Sequence, residues 1–97
     1  MNLDHVNWDL IPHHMQGGVR RWIEDGIKPG QFLAAVLCND LKEALGRADD
    51  INRDRLHDTV SFFYSHAPIG CWGSPENFAD WHKSGGLNGL ERQTAAA

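Results

Sequence analysis

Apolar residues recur at every third or fourth position early in the chain, and this spacing predicts an amphipathic α-helix over residues 12–25. Pro12 suits the first turn of such a helix, and Gly26 suits its C-terminal stop. The adjacent Gly17 and Gly18 cost roughly 1 kcal/mol each relative to Ala inside a helix. They indicate either a poorly formed first turn or a place where another backbone or a ligand approaches closely. The apolar stripe comprises Met15, Val19, Trp22 and Ile23.

The strongest periodicity lies in residues 30–50, and it predicts one long central helix whose end is weakened by Gly46, with a break over residues 46–50. Pro29-Gly30 prevents an earlier start. Advancing each residue by roughly 100° brings Asp40 within about 20° of Leu33, on the apolar face. A carboxylate on a buried face is costly unless it is paired or hydrogen-bonded.

Asp40 therefore requires a partner, and two interpretations are open. As a structural anchor it would pair with Arg20 or Arg21 of the antiparallel first helix, or accept hydrogen bonds from N–H groups of the loop at residues 70–74. Alternatively it faces a pocket, where it binds a ligand or acts as an acid or base.

A third helix is predicted from a cap at Asp49, Asp50 or Asn52 to about residue 67, just before Pro68. Its stripe comprises Leu56, Val60 and Phe63.

A loop of glycines around Trp72 follows, and Ser74-Pro75 starts a short fourth helix. Residues 85–97 show no usable period and are predicted to be a flexible tail. The predicted fold is all-α, with three main helices plus a short fourth. Residues 1–84 would form one domain, with residues 1–11 as an N-terminal arm that packs down on the body.

Composition narrows the classes of function. The chain has 97 residues and a formal charge of −4, which argues against direct binding to a nucleic-acid backbone. A chain this short buries only about 60–65% of its unfolded surface, which favours a thin core or a homo-oligomer. No apolar stretch approaches the length of a membrane span, and the first residues lack the features of a signal peptide. A cytoplasmic location in a host cell is expected.

Candidate catalytic chemistry is sparse. Cys38 and Cys71 are expected to be free thiols in a reducing compartment, because two cysteines make no disulfide framework. A nucleophile would be Cys71 or Cys38, with His66 as its base, and the alternative for Cys71 is a small apolar loop residue. Close Cys or His pairs with zinc spacing are absent, as are phosphate-loop and dinucleotide motifs. No cofactor or metal is expected, and a non-enzymatic protein is favoured over an enzyme.

The candidate binding surface combines a basic pair with aromatic and loop residues. Arg20 and Arg21 are either salt-bridged to nearby acids such as Glu24 or free to hold a phosphate or carboxylate. Trp72 is either a structural plug or a platform for a ligand. The predicted ligand-binding residues are Arg20, Arg21, Trp22, Trp72, Gly73 and Ser74, with Asp40 supporting them.

Three segments resemble, as a set, a family of small proteins encoded in bacteriophages and prophages of proteobacteria, most of which have no assigned function. The segments are IPHHM-x2-GVRRWIEDGIKPGQFL, AVLCNDLKEALGRADD-x-N and APIGCWGSPENF, and the resemblance covers about residues 8–82. It transfers no catalytic residue. It implies an accessory protein that binds and blocks a host component, as in counter-defence.

Three functional hypotheses follow. The first is a non-enzymatic inhibitor that sequesters a small anionic nucleotide or binds a host protein complex. The second is an interaction protein of the virion or of its assembly. The third is a small enzyme that uses Asp40, or His66 with Cys71.

Overall fold

The computed structural model describes residues 3–96, and the side chains of residues 3–94. Over that range the fold is all-α, with seven α-helices, four short 3₁₀ turns and no strand. None of these helices is long and apolar enough to cross a membrane. The helices are α1 (Gln16–Asp25), α2 (Gln31–Leu37), α3 (Leu41–Arg47), α4 (Asp50–Asp54), α5 (Leu56–His66), α6 (Pro75–Ser84) and α7 (Gly86–Ala96).

The first predicted helix is confirmed with one refinement. A 3₁₀ turn at His13–Met15 follows Pro12 and leads directly into α1. Gly26 ends α1 in the left-handed conformation, with φ of 67°, and its N–H donates to the carbonyl of Trp22 at 2.9 Å. The predicted stripe faces inward, since Val19, Trp22 and Ile23 are fully buried.

The single central helix is wrong, because the chain breaks at Asn39 and Asp40. Asn39 adopts a positive φ of 60°, which Asn tolerates better than most residues. Asp40 then caps α3, where its Oδ1 accepts from the N–H of Glu43 at 3.2 Å. As a result α2 and α3 form a helical hairpin and pack on each other. Asp40 is exposed, and not on a buried stripe.

The third predicted helix corresponds to α4 and α5, separated at Arg55. Asp49 caps α4, and its Oδ1 accepts from the N–H of Asn52 at 2.7 Å. The helix ends at His66, ahead of Pro68, as predicted. The buried face is rotated from the predicted one, because Thr59 and Phe62 join Phe63 inside while Leu56 and Val60 are half-buried.

The fourth predicted helix is confirmed as α6. The Ser74 hydroxyl accepts from the N–H of Asn77 at 3.0 Å, and Pro75 occupies the first turn. The loop before α6 is tied to α2, since the N–H of Gly73 donates to the carbonyl of Leu37 at 2.8 Å. Gly85 ends α6 in the left-handed conformation.

Residues 86–96, which the sequence places in a flexible tail, form α7 and pack against α1. Residue 97 lies outside the described range. The contact depends on Gly86, whose added Cβ would lie 2.7 Å from backbone atoms of Glu24, Asp25 and Gly26. Among the described side chains of α7, those of residues 86–94, only Leu87 packs against the core, and one such contact makes no apolar period.

The core lies between α1, α2, α5 and α6, and α2 alone buries five apolar side chains. Trp22, Phe62, Phe63 and Cys71 are fully buried in it. The N-terminal arm covers one side, as predicted, although residues 1 and 2 lie outside the described range. Trp8 anchors the arm: its Nε1 donates to the carbonyl of Leu3 at 2.8 Å, and its ring centroid lies 5.1 Å from that of Phe62.

Candidate functional site

The structure does not bring the predicted ligand-binding residues together. Trp22 is fully buried in the core and offers no face to a ligand. Its Nε1 donates to the carbonyl of Cys71 at 3.0 Å, and its ring stacks on Phe78 at a centroid distance of 4.7 Å. Its own carbonyl accepts from Nε1 of Trp81 at 2.9 Å. Trp22 is therefore a structural residue that joins α1 to α6 and to the loop ahead of it.

Arg20 is neutralised by neighbouring acids. Its guanidinium lies 3.3 Å from the carboxylate of Asp4 and 3.6 Å from that of Glu24. It also lies over the ring of Trp8, at 5.2 Å from the centroid. The salt-bridged alternative for Arg20 thus agrees with the structure, and this guanidinium is already committed.

Trp72, Gly73 and Ser74 mainly organise the start of α6. The carbonyl of Trp72 accepts from Nδ2 of Asn77 at 2.9 Å, and its ring lies 5.9 Å from that of Phe63. One side of the half-buried Trp72 lines a shallow groove of about 140 Å³. Asp40 lies in the same groove, together with Asn39 and the apolar side chains of Val36, Leu41, Ala44, Leu56 and Val60.

The predicted partners of Asp40 are wrong. Its carboxylate bonds to the N–H of Glu43, and neither Arg20 nor Arg21 forms an ion pair with it. The loop of residues 70–74 is joined to the central segment by the Gly73–Leu37 backbone bond instead.

The nucleophile hypothesis disagrees with the burial of Cys71. This thiol is fully buried, and its desolvation raises its pKa from 9.0 to about 12. A nucleophilic cysteine must form the thiolate near neutral pH, so Cys71 fits the structural interpretation. The pKa of Cys38 is also raised, first by burial and then by the nearby charges of Asp40 and Glu76. Within residues 3–96, no group of three or more His, Cys, Asp or Glu side chains is arranged to hold a metal ion.

A different site lies beside Arg21. A cleft of about 410 Å³ forms between the first turns of α1 and the connection into α2, and we call it the Arg21 cleft. Three of its residues carry basic side chains, and its other side chains are mostly apolar. The lining comprises His14, Met15, Gly18, Arg21, Ile27, Lys28, Pro29, Gly30, Gln31, Phe32 and Leu33.

The charges of the Arg21 cleft are unbalanced toward positive. No Asp or Glu lines it, although acidic residues outnumber Lys and Arg by 13 to 9 in the whole chain. Neither Arg21 nor Lys28 forms an ion pair within the described part of the chain. His14 differs, since its Nε2 lies 3.2 Å from the carboxylate of Asp49. Two basic side chains without an ion-pair partner, Arg21 and Lys28, are therefore available in the cleft.

Gly17 and Gly18 of α1 lie next to the guanidinium of Arg21. A Cβ on Gly17 would lie 3.1 Å from Nη1 of Arg21, so the guanidinium lies along the glycine turn. Gly18 lines the cleft itself, and an added Cβ there would meet only Nη2 of Arg21, at 3.9 Å. The nearest neighbour of both glycines is thus the side chain of Arg21 on the same helix, and not the second backbone or the ligand that the sequence predicted.

Sequence reasoning identified Arg21 and missed the rest of the cleft. Lys28 follows the Gly26 stop, and the chain reversal there returns it beside Arg21. One feature of the sequence could have predicted Lys28: it is a second basic residue, about two helical turns after Arg21, in a short connection that reverses the chain direction. The apolar floor formed by Met15 and Phe32 comes from two different elements, so only the packing reveals it.

No protein-family model, curated protein or solved structure matches this chain.

Proposed function

We propose that this protein is a non-enzymatic, phage-type accessory protein that binds a small anionic molecule of the host in the Arg21 cleft and thereby sequesters it. The observation that carries the proposal is a basic cleft without acids in an acidic chain. Arg21 and Lys28 form no ion pair with a carboxylate in the described part of the chain, so both side chains can contact an anion in the cleft. The volume of about 410 Å³ suits a small molecule.

The counter-defence role rests on the resemblance of residues 8–82 to proteins of bacteriophages and prophages. A protein that removes a nucleotide signal needs binding and no turnover, and it would act in the host cytoplasm. The chemistry of the cleft favours binding as well. Arg21 and Lys28 are basic side chains, which attract and orient an anion.

The test is a ligand panel measured by thermal shift and calorimetry. Nucleotides, sugar phosphates and dicarboxylates are added to the wild type and to Arg21→Ala and Lys28→Ala. A charge-assisted hydrogen bond contributes about 1.5–3 kcal/mol, so each variant should bind at least about tenfold more weakly. The ligand should be recovered chemically unchanged after denaturation.

The matched controls are Arg53→Ala and Lys42→Ala. Each removes the same charge from an exposed position outside the cleft. If the controls and the cleft variants lost the same amount of affinity, the effect would come from the net charge of the protein and not from the cleft. If no anion in the panel raises the melting temperature, the proposal fails.

A host protein complex is the second candidate target, and a specific surface favours it. Leu41 is 67% exposed on α3, and Leu45 of the same helix is 48% exposed. Leu41 borders the groove that Trp72 lines, and aromatic residues often anchor protein interfaces. Either a host protein or a second copy of this chain would cover these residues. Light scattering of wild type and Leu41→Glu separates the two, because only a homo-oligomer would change in mass.

A further inference from the structure

Resting on the proposed function, we infer that the Arg21 cleft takes a ligand with one phosphate group and one planar body, the class of a nucleoside monophosphate. The inference depends on three properties of the cleft: the number of uncommitted cations, its size and apolar floor, and the missing side chain at Gly18.

The available charge matches a single phosphate. A phosphate monoester carries about −1.5 to −2 at pH 7, and Arg21 and Lys28 supply two positive charges. The planar guanidinium of Arg21 suits two phosphate oxygens at once, and Lys28 adds a point charge. His14 is committed to Asp49, whose other carboxylate oxygen caps α4. A triphosphate would bring further negative charge toward Asp49 with no additional cation lining the cleft.

The size of the cleft suits one planar group. Ligand pockets range from about 300 to 1,000 Å³, and about 410 Å³ lies near the lower end of that range. Met15, Ile27 and Phe32 supply apolar surface in the same cleft, and Gln31 supplies an amide that can both donate and accept hydrogen bonds. A ligand with two bases would have to leave one of them in solvent.

Gly18 keeps open the space beside the guanidinium. An alanine methyl there would meet only Nη2 of Arg21 within 4 Å, so the folded protein accommodates it without a clash. Alanine is also the better helix former. Yet the methyl would occupy part of the cleft next to the group that binds the phosphate. Gly18→Ala should therefore raise the melting temperature of the free protein while it weakens binding, which a general loss of structure cannot do.

The experiment is a calorimetric comparison of the four ribonucleoside monophosphates, the matching nucleosides, inorganic phosphate, the triphosphates and a cyclic dinucleotide. Wild type, Gly18→Ala, Arg21→Ala and the control Arg53→Ala are compared. At least one monophosphate should bind tenfold or more tightly than its nucleoside and than inorganic phosphate, and no more weakly than its triphosphate. Arg21→Ala should lose at least tenfold, Gly18→Ala should lose several-fold, and Arg53→Ala should match the wild type.

The outcomes separate this inference from the proposed function. Tighter, Arg21-dependent binding of a triphosphate or of the cyclic dinucleotide overturns the ligand class and leaves the proposed function standing. Unchanged affinity in Gly18→Ala also overturns it, because the phosphate would then lie elsewhere. If no nucleotide binds, the inference is wrong, whereas Arg21-dependent binding of another anion in the wider panel would still support the proposed function. Binding that Arg21→Ala leaves intact overturns both.

Discussion

Replacing Gly86 with alanine tests whether α7 is part of the folded body. Gly86 begins α7 with φ of 69°, in the left-handed region. A Cβ at this position would lie 2.7 Å from the N atoms of Asp25 and Gly26 and from the carbonyl carbon of Glu24. These are backbone atoms of the end of α1, which cannot rotate away as a side chain can. The alanine variant must therefore shift α7 away from α1.

Two terms set the expected cost. An alanine in the left-handed conformation costs about 1–2 kcal/mol, because its Cβ approaches the following carbonyl oxygen. An additional methyl in a closely packed contact costs about 1–3 kcal/mol. Together they predict a loss of about 2–5 kcal/mol in the free energy of unfolding. In a domain of this size each kcal/mol lowers the melting temperature by about 4–8 °C, so a drop of at least about 8 °C is expected.

The assay is thermal and urea unfolding followed by circular dichroism, with Gly46→Ala as the matched control. Gly46 lies in α3, and an added Cβ there meets nothing within 4 Å. The control has the same change in the entropy of the unfolded chain. It should gain roughly 0.5–1 kcal/mol, since alanine favours the helix.

The reasoning would be refuted if Gly86→Ala melted at or above the temperature of the wild type. A truncation that removes residues 86–97 provides the second measurement. If it too leaves the melting temperature unchanged, those residues form the flexible tail that the sequence pattern predicted. A marked loss in both variants would establish that the contact between α7 and α1 stabilises the body.

Three further predictions concern Asp40 and the thiols. Asp40→Ala should lower the free energy of unfolding by only about 1 kcal/mol, because the exposed side chain acts only as a helix cap. Asp40→Asn should lower it by almost nothing, since Asn is also a good cap. A loss of several kcal/mol in urea unfolding would indicate a buried pair instead. Cys71 keeps its proton in the folded state up to a pKa of about 12, whereas the unfolded chain loses it above about 9.0. Between those pH values the wild type should therefore lose stability by up to about 1.4 kcal/mol per pH unit more steeply than Cys71→Ala, and equal slopes would contradict the assignment. A thiol reagent should label the half-buried Cys38 in the native protein and Cys71 only after unfolding.

Local sequence determined where most helices begin and end. Gly26 after α1, Pro68 after α5 and Ser74-Pro75 before α6 act through their own backbone geometry or through hydrogen bonds three residues away. Such interactions are complete within one turn, so they can be read without knowledge of the fold. The all-α class followed from the same local patterns.

The break at Asn39-Asp40 was visible in the sequence but ambiguous. The apolar period continues through it, and the same two residues also suit a left-handed turn followed by a helix cap. Tertiary packing decided between a continuous helix and a helical hairpin. The hairpin lets α3 pack on α2, and it leaves the Leu37 carbonyl free to accept from Gly73.

Only the tertiary structure decided the roles of the two adjacent arginines. Arg20 is neutralised partly by Asp4, which lies 16 residues away, and Arg21 faces a cleft whose second cation arrives after a chain reversal. The docking of α7 is equally non-local, because Gly86 makes its contact through backbone atoms and so carries no apolar signal. Charge pairing and backbone contact depend on distances between remote residues. Sequence periodicity records only the face that each helix buries.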